Sequence, residues 1–175
     1  MSVLPEFTMD RVFNAPRDLV WKAWTAPDLI ARWFGPKGCK TRILAFDLRP
    51  GGICHFEMRF GKGPPTYGRF LYQTITPPEQ ISWRHSFADK DGEPIHHPGQ
   101  ANWPLFLRTV IKFEDLGATT RMLLFWTPLD AKPHEIEAFE KGMTSMEQGW
   151  GGLFEVLDPL LEEVCRDNKE AGNNE

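Results

Sequence analysis

Apolar and polar positions alternate with a period of two through most of the chain between residues 41 and 127. Such alternation is typical of strands that bury one face and expose the other. Six alternating segments are separated by turns rich in glycine and proline, and their hairpin spacing predicts an antiparallel sheet. A further strand is predicted at FTMDRVF, residues 7–13. In TYGRFLYQTI and TTRMLLFW the alternation does not decide which face points inward.

A helical period of apolar residues replaces this alternation in three places. NAPRDLVWKAW and TAPDLIARWF predict two short helices in tandem after the first strand, each with a proline suited to a first helical turn. After Pro133 the apolar residues recur every three or four positions, which predicts one amphipathic helix of about thirty residues. Its apolar stripe consists of Phe139, Met143, Met146, Trp150, Leu153, Leu157 and Leu160. Pro159 is expected to kink or interrupt the helix after Leu157.

The order of these elements predicts an α+β fold. A long helix with a single apolar stripe must cover the apolar face of a sheet, and space remains where a curved sheet and a helix diverge. The length of 175 residues suits one domain, predicted over residues 1–165. Residues 166–175 predict a polar, flexible tail.

Four glycines weaken the last predicted helix, at positions 142, 149, 151 and 152. Each glycine inside a helix costs about 1 kcal/mol relative to alanine. We interpret them as thinning the helix, so that a strand or a bound molecule can approach its backbone.

Composition and charge narrow the class of protein. The chain is 13% aromatic, with seven tryptophans and thirteen phenylalanines, which favours a core of large rings, a ring-lined cavity, or both. A net charge of −4 without a basic run argues against nucleic acid as a partner. No apolar run reaches the roughly 18 residues of a membrane span, and the start of the chain does not resemble a signal segment. The three cysteines are an odd number and lack metal-ligand spacing, which is typical of reduced thiols. Together these features predict a cytoplasmic protein.

Few residues suggest chemistry. The histidines and cysteines lack metal-ligand spacing, so no metal or other cofactor is expected. Alternation places His85 on the apolar face of its strand, together with Trp83, where an unpaired imidazole is costly. His85 is either a core histidine satisfied by a neighbour, or a polar group that orients a ligand or acts as a general acid or base. Met143, Met146 and Trp150 are either core residues or part of an adaptable apolar pocket.

Four segments carry a resemblance to a known family: FNAPRDLVWKAWTAPDLIARWFGP, DLRPGG, ITPPEQISW and GMTSMEQGWGGLFEVLDPLL, which together span roughly residues 10–162. The chain resembles the START-like (SRPBCC) helix-grip superfamily, which includes the major birch-pollen allergen. Within it, the chain is most similar to the homology family named for the activator of the 90-kDa heat-shock protein ATPase. The resemblance implies a seven-stranded curved antiparallel sheet wrapped around a long C-terminal helix, with an internal cavity. The segment 88–104 and Pro159 depart from this pattern.

We therefore predict a binding protein for a hydrophobic or aromatic small molecule. The predicted cavity lining is Phe56, Met58, Trp83, His85, Met143, Met146 and Trp150. The family's name suggests a co-chaperone or stress-response partner as an alternative, and superfamily relatives suggest a cyclase- or aromatase-like enzyme; we favour binding over catalysis. The polar segment 88–104 is either a surface insertion or a lid at the cavity mouth. An exposed Trp103 in it could support a homodimer.

Overall fold

The computed structural model describes residues 3–174 and contains eight strands and four helices in that range. The strands are β1 (Phe7–Phe13), β2 (Cys39–Phe46), β3 (Ile53–Phe60), β4 (Thr66–Thr76), β5 (Gln80–Ala88), β6 (Pro94–Ile95), β7 (Phe106–Asp115) and β8 (Thr120–Leu129). The helices are α1 (Arg17–Thr25), α2 (Pro27–Trp33), α3 (Pro133–Lys141) and α4 (Met143–Gly172).

Seven strands form one antiparallel sheet in the order β1-β8-β7-β5-β4-β3-β2. The two-residue strand β6 pairs only with the end of β5. The predicted α+β helix-grip fold is therefore confirmed, with β6 as an addition inside the segment 88–104. Because that segment is polar and lacks periodicity, the sequence contained no signal for so short a strand.

The short helices α1 and α2 pack against each other and close one side of the core. Trp33 lies at the end of α2, and its indole nitrogen donates a hydrogen bond of 2.8 Å to the carbonyl oxygen of Ala23 in α1. The rings of Trp33 and Trp24 meet edge to face at 4.7 Å. A single buried hydrogen bond and a ring contact thus fix the angle between the two helices.

The chain after Pro133 differs from the single interrupted helix that the sequence predicts. It forms two helices separated at Gly142, and α4 then runs without interruption through Pro159 to Gly172. The predicted interruption of the helix after Leu157 is therefore wrong, and a kink at Pro159 stays a prediction. A helical proline deprives the carbonyl four residues earlier of its partner, here Glu155. Because Pro159 and Glu155 are both exposed, water can hydrate that carbonyl.

The last turns of α4 include residues 166–172, for which the sequence predicts a polar tail. These residues are exposed on all sides, so they contribute little to the core.

The glycines of the C-terminal region have different surroundings. A methyl group at Gly142 would lie 3.0 Å from the Trp103 ring, so the glycine at this break admits a tryptophan from the long loop. At Gly149, Gly151 and Gly152 a methyl group would meet no atom of the described residues within 4 Å beyond the local helix backbone. The interpretation that a strand approaches these three glycines is therefore wrong, and the space beside them is open.

This difference predicts whether an alanine at each of these glycines raises the free energy of unfolding. Gly151→Ala and Gly152→Ala are each expected to raise the free energy of unfolding by about 0.5–1 kcal/mol, because they restore helix propensity without a clash. Gly142→Ala is expected to give no gain, because the methyl group would press on Trp103. Urea denaturation of the three variants checks this, and a stabilised Gly142→Ala protein would contradict the assigned contact.

The core fills the space between the inner face of the sheet and helices α1, α2 and α4. Helix α4 contributes six buried residues: Met146, Trp150, Phe154, Leu157, Leu160 and Leu161. Trp24 of α1 lies at the centre, within 6.3 Å of the rings of Trp83, Trp150 and Phe154. Large rings therefore build the core, and the same rings border a space that they do not fill.

Candidate functional site

A cavity of about 330 Å³ lies between the sheet and α4. Strands β3, β4, β5, β7 and β8 form its wall on the sheet side, the end of α2 and the following turn form one side, and the second and third turns of α4 face the sheet. Its lining is almost entirely apolar. Pro36 and Gly149 line the cavity and are also exposed, so the opening lies between the α2–β2 turn and α4.

The sheet side of the cavity is made of stacked aromatic rings. Phe70 stacks on Trp83 with ring centroids 4.5 Å apart, and it also contacts Phe56 at 5.1 Å. Phe56 pairs with Gly68 on the neighbouring strand. A methyl group at Gly68 would lie 2.5 Å from the Phe56 ring, so this ring can lie across β4 only because position 68 is glycine.

Trp150 forms the helix side of the cavity without filling it. Its ring is stacked on Trp24 with centroids 6.2 Å apart and meets Trp126 edge to face at 5.6 Å. Only 5% of Trp150 is exposed. Met146, Gly149 and Leu153 lie beside it along the same wall. Gly149 therefore leaves room for a bound molecule to approach the backbone of α4.

The structure brings together six of the seven residues that the sequence assigns to the lining. Phe56, Met58, Trp83, His85, Met146 and Trp150 border the cavity. Met143 is half-buried at the first residue of α4, packs against the core, and is not among the lining residues of the described chain. The apolar stripe correctly assigns Met143 to the buried face of the helix. Met143 nevertheless lies about one turn before the α4 residues that line the cavity.

The predicted lining lacks several large residues that border the cavity, and two of them are Phe70 on β4 and Trp126 on β8. They lie on the two strands whose alternation does not decide the inward face. Strand pairing decides it, because Phe70 lies opposite His85 and Trp126 lies opposite Thr109. The Thr109 hydroxyl accepts a hydrogen bond of 2.7 Å from the Trp126 indole, which holds that ring in place.

His85 is surrounded by aromatic rings on the cavity wall. Its ring centroid lies 5.5 Å from Phe70, 5.7 Å from Trp126 and 6.3 Å from Phe87. Burial lowers the pKa of His85 to about 4, and no hydrogen bond or charge from the described residues offsets this effect. The imidazole is therefore neutral near pH 7, with one nitrogen that donates and one that accepts. The role of His85 toward a ligand stays a prediction.

Among the described residues that line the cavity there is no cysteine and no titratable side chain besides His85. Burial raises the pKa of the Cys54 thiol to about 12, so it stays protonated and is a poor nucleophile. Within residues 3–174 no three His, Cys, Asp or Glu side chains are grouped closely enough to hold a metal ion. No helix in the same range is long and apolar enough to cross a membrane.

The segment 88–104 is folded against the body of the protein. His96 approaches Glu135 of α3, with 3.9 Å between Nδ1 and the carboxylate oxygen. Trp103, predicted to be exposed, is half-buried and packs on Phe139 with ring centroids 5.8 Å apart. Trp103 therefore does not form the exposed patch on which the predicted homodimer depended. Beneath this segment lies a second cavity of about 270 Å³.

A family model described as "Activator of Hsp90 ATPase homolog 1-like protein" matches residues 14–162. Among solved structures, the chain is similar to a protein of Arthrobacter aurescens, with a TM-score of 0.75, 24% identity, and coverage of 90% of this chain and 86% of the other. A Mycobacterium smegmatis protein gives a TM-score of 0.71, 24% identity and coverage of 89% and 90%. The AHSA1 protein of Silicibacter pomeroyi gives 0.68, 16% identity and coverage of 90% and 98%. No curated protein matches the chain. Identities this low show the fold alone.

Proposed function

The chain belongs to the family of activator of Hsp90 ATPase homolog 1-like proteins. From this premise we propose that it binds an apolar or aromatic small molecule between its sheet and α4. The observation that carries the proposal is the cavity of about 330 Å³ bordered by stacked rings. Ligand sites are typically concave, mostly apolar and largely preformed, with volumes of roughly 300–1,000 Å³. The cavity meets each of these conditions.

The expected affinity follows from the apolar surface that the cavity can cover. An aromatic molecule the size of an indole ring buries roughly 150–250 Å², which contributes about 4–6 kcal/mol at 25 cal/mol per Å². Costs of association reduce this gain. Simple aromatic probes are therefore expected to bind with dissociation constants near the millimolar range, and a natural ligand with more contacts binds more tightly.

Binding has more support than catalysis. An acid–base enzyme needs proton-transferring groups within reach of the substrate, and His85 is the single titratable side chain among the described residues that line this cavity. The cyclase- or aromatase-like activity stays a prediction from superfamily relatives. The co-chaperone role likewise stays a prediction that rests on the family's description, and stimulation of a heat-shock ATPase by the purified protein would test it.

Substitution of Gly149 by leucine tests the proposed site. Gly149 lies at the opening, and a methyl group placed there would meet no atom of the described residues within 4 Å beyond the local helix backbone, so a leucine side chain can extend into the entrance. Because leucine is a better helix former than glycine, stability should stay equal or rise by about 0.5–1 kcal/mol. Binding of naphthalene, followed by isothermal titration calorimetry and by thermal shift, should weaken at least tenfold.

Gly151→Leu is the matched control, because Gly151 lies two residues further along α4 with similar open space and does not line the cavity. It should bind naphthalene as the wild type does. If wild-type protein binds neither naphthalene nor indole, or if Gly149→Leu binds them unchanged, the proposed function is wrong.

A further inference from the structure

The second cavity, beneath the segment 88–104, adjoins the first. His85, Phe87, Trp126 and Met146 line both cavities. The first cavity is the apolar space described above, and we call the second the loop chamber. These four residues form a shared border, so the two cavities lie side by side.

The loop chamber differs from the apolar cavity in its chemistry. It adds the polar side chains of His97, Gln100 and Ser145 to the shared wall. No Asp, Glu, Lys or Arg lines either cavity within the part of the chain that the structure describes. A ligand carboxylate or ammonium would therefore lose its hydration without gaining a counter-charge, which is costly. A hydroxyl, carbonyl or amide would find hydrogen-bonding partners.

The hydrogen-bonding state of His97 is set by its own loop. Its Nδ1 accepts a hydrogen bond of 2.9 Å from the backbone N–H of Gly99, so the ring proton lies on Nε2 and can be donated. The ring contacts Phe87 with centroids 4.4 Å apart, which holds it beside the shared wall. Partial burial lowers the pKa of His97, so this ring is also neutral near pH 7.

The loop that carries these groups is held in place at several points. The Gln100 N–H donates to the His97 carbonyl oxygen at 3.3 Å, and the Trp103 N–H donates to that of Gln100 at 3.0 Å. Trp103 then packs on Gly142, where α3 and α4 meet. The side chains of His97 and Gln100 are therefore presented to the loop chamber from an ordered turn, as a selective site requires.

We propose that the two cavities form one site for a single uncharged amphipathic molecule, with an aromatic body in the apolar cavity and a hydroxyl, carbonyl or amide in the loop chamber. This inference rests on the proposed function and specifies its ligand class. His85, on the shared wall, and His97 and Gln100, on the loop, select the polar end. The segment 88–104 is thus a specificity element.

A matched set of naphthalene, 2-naphthol and 2-naphthoate tests the inference by calorimetry at pH 7.5. In a purely apolar cavity the hydroxyl of 2-naphthol would weaken binding, because it would lose its hydration. With partners in the loop chamber, 2-naphthol should bind about 3- to 10-fold more tightly than naphthalene, the range that one net hydrogen bond supplies. 2-Naphthoate should bind at least tenfold more weakly than 2-naphthol.

Two substitutions in the loop test the loop chamber separately from the apolar cavity. Gln100→Leu and His97→Phe should each reduce the preference for 2-naphthol and leave naphthalene affinity within about twofold. Gln73→Leu, at an exposed position of β4 away from both cavities, should change neither. If naphthalene binds but 2-naphthol gains nothing, if the loop variants keep the preference, or if 2-naphthoate binds best, the inference is wrong and the proposed function stands. If none of the three compounds binds, both are wrong.

Discussion

Phe154→Ala is expected to lower the free energy of unfolding by about 3–5 kcal/mol, the range for removing a fully buried phenylalanine ring. Phe154 is 0% exposed and lies on the face of α4 that meets the sheet. Its ring meets Phe13 of β1 edge to face at 5.3 Å and lies 5.7 Å from Trp150. The side chain therefore connects α4 to the first strand and to the helix wall of the cavity.

The Phe154 ring also contacts a charged side chain of β1 that forms an ion pair with α4. The guanidinium of Arg11 lies 5.3 Å from the Phe154 ring centroid and forms an ion pair with Asp158, one turn further along α4. Loss of the ring leaves a cavity and removes one surface that orients Arg11. Because close-packed neighbours relax only partly into such a cavity, the cost exceeds the transfer free energy of the ring.

Thermal and urea denaturation measure this effect. The melting temperature should fall by roughly 6–20 °C for a chain of this size. Glu155→Ala is the matched control, because Glu155 is the next residue of the same helix and is exposed; its change should stay within about 0.5 kcal/mol. A loss below about 1 kcal/mol for Phe154→Ala would contradict the close packing of α4 on β1.

Acidification from pH 6.5 to pH 4 is expected to remove about 2–3 kcal/mol of stability through His85 alone. The pKa of His85 is about 4 in the folded protein, whereas the ordinary value for a histidine side chain is 6.5. Between these values the unfolded chain binds more protons than the folded one, so the free energy of unfolding decreases as the pH falls. The contribution is complete above pH 6.5 and is lost as the pH falls through 4.

His85→Phe isolates this contribution from the carboxylates that titrate in the same range. Phenylalanine suits the surrounding rings of Phe70, Phe87 and Trp126 and cannot take up a proton. The difference in unfolding free energy between wild type and His85→Phe should therefore change by about 2–3 kcal/mol between pH 7 and pH 4. A pH-independent difference for His85→Phe would mean that the imidazole is hydrated in the folded protein.

Much of the candidate site could be predicted because strand alternation is a local property. Trp83 and His85 share a face of β5, as do Phe56 and Met58 of β3, and each pair lines the cavity. Phe70 and Trp126 could not be assigned in this way, because apolar residues occupy both faces of their strands. Their inward direction follows from cross-strand pairing with His85 and Thr109, which links residues distant in the chain.

The helices show the same division. The apolar stripe correctly predicted which face of the C-terminal region is buried, since that depends on a 3.6-residue period within one segment. The break at Gly142 and the continuity of α4 through Pro159 depend on Trp103 and on exposure to water, neither of which is visible in the period.

By itself the sequence determined the α+β class and part of the cavity's aromatic lining, because periodicity and turn residues act over a few neighbouring positions, and its four matching segments indicated the family. Only the tertiary structure decided that the gap beside Trp150 stays open, that Gly149 lies at its entrance and that the segment 88–104 borders a second cavity with polar side chains. The reason is physical: an unfilled volume is the difference between the space that several elements enclose and the side chains that enter it, and no single segment specifies that difference.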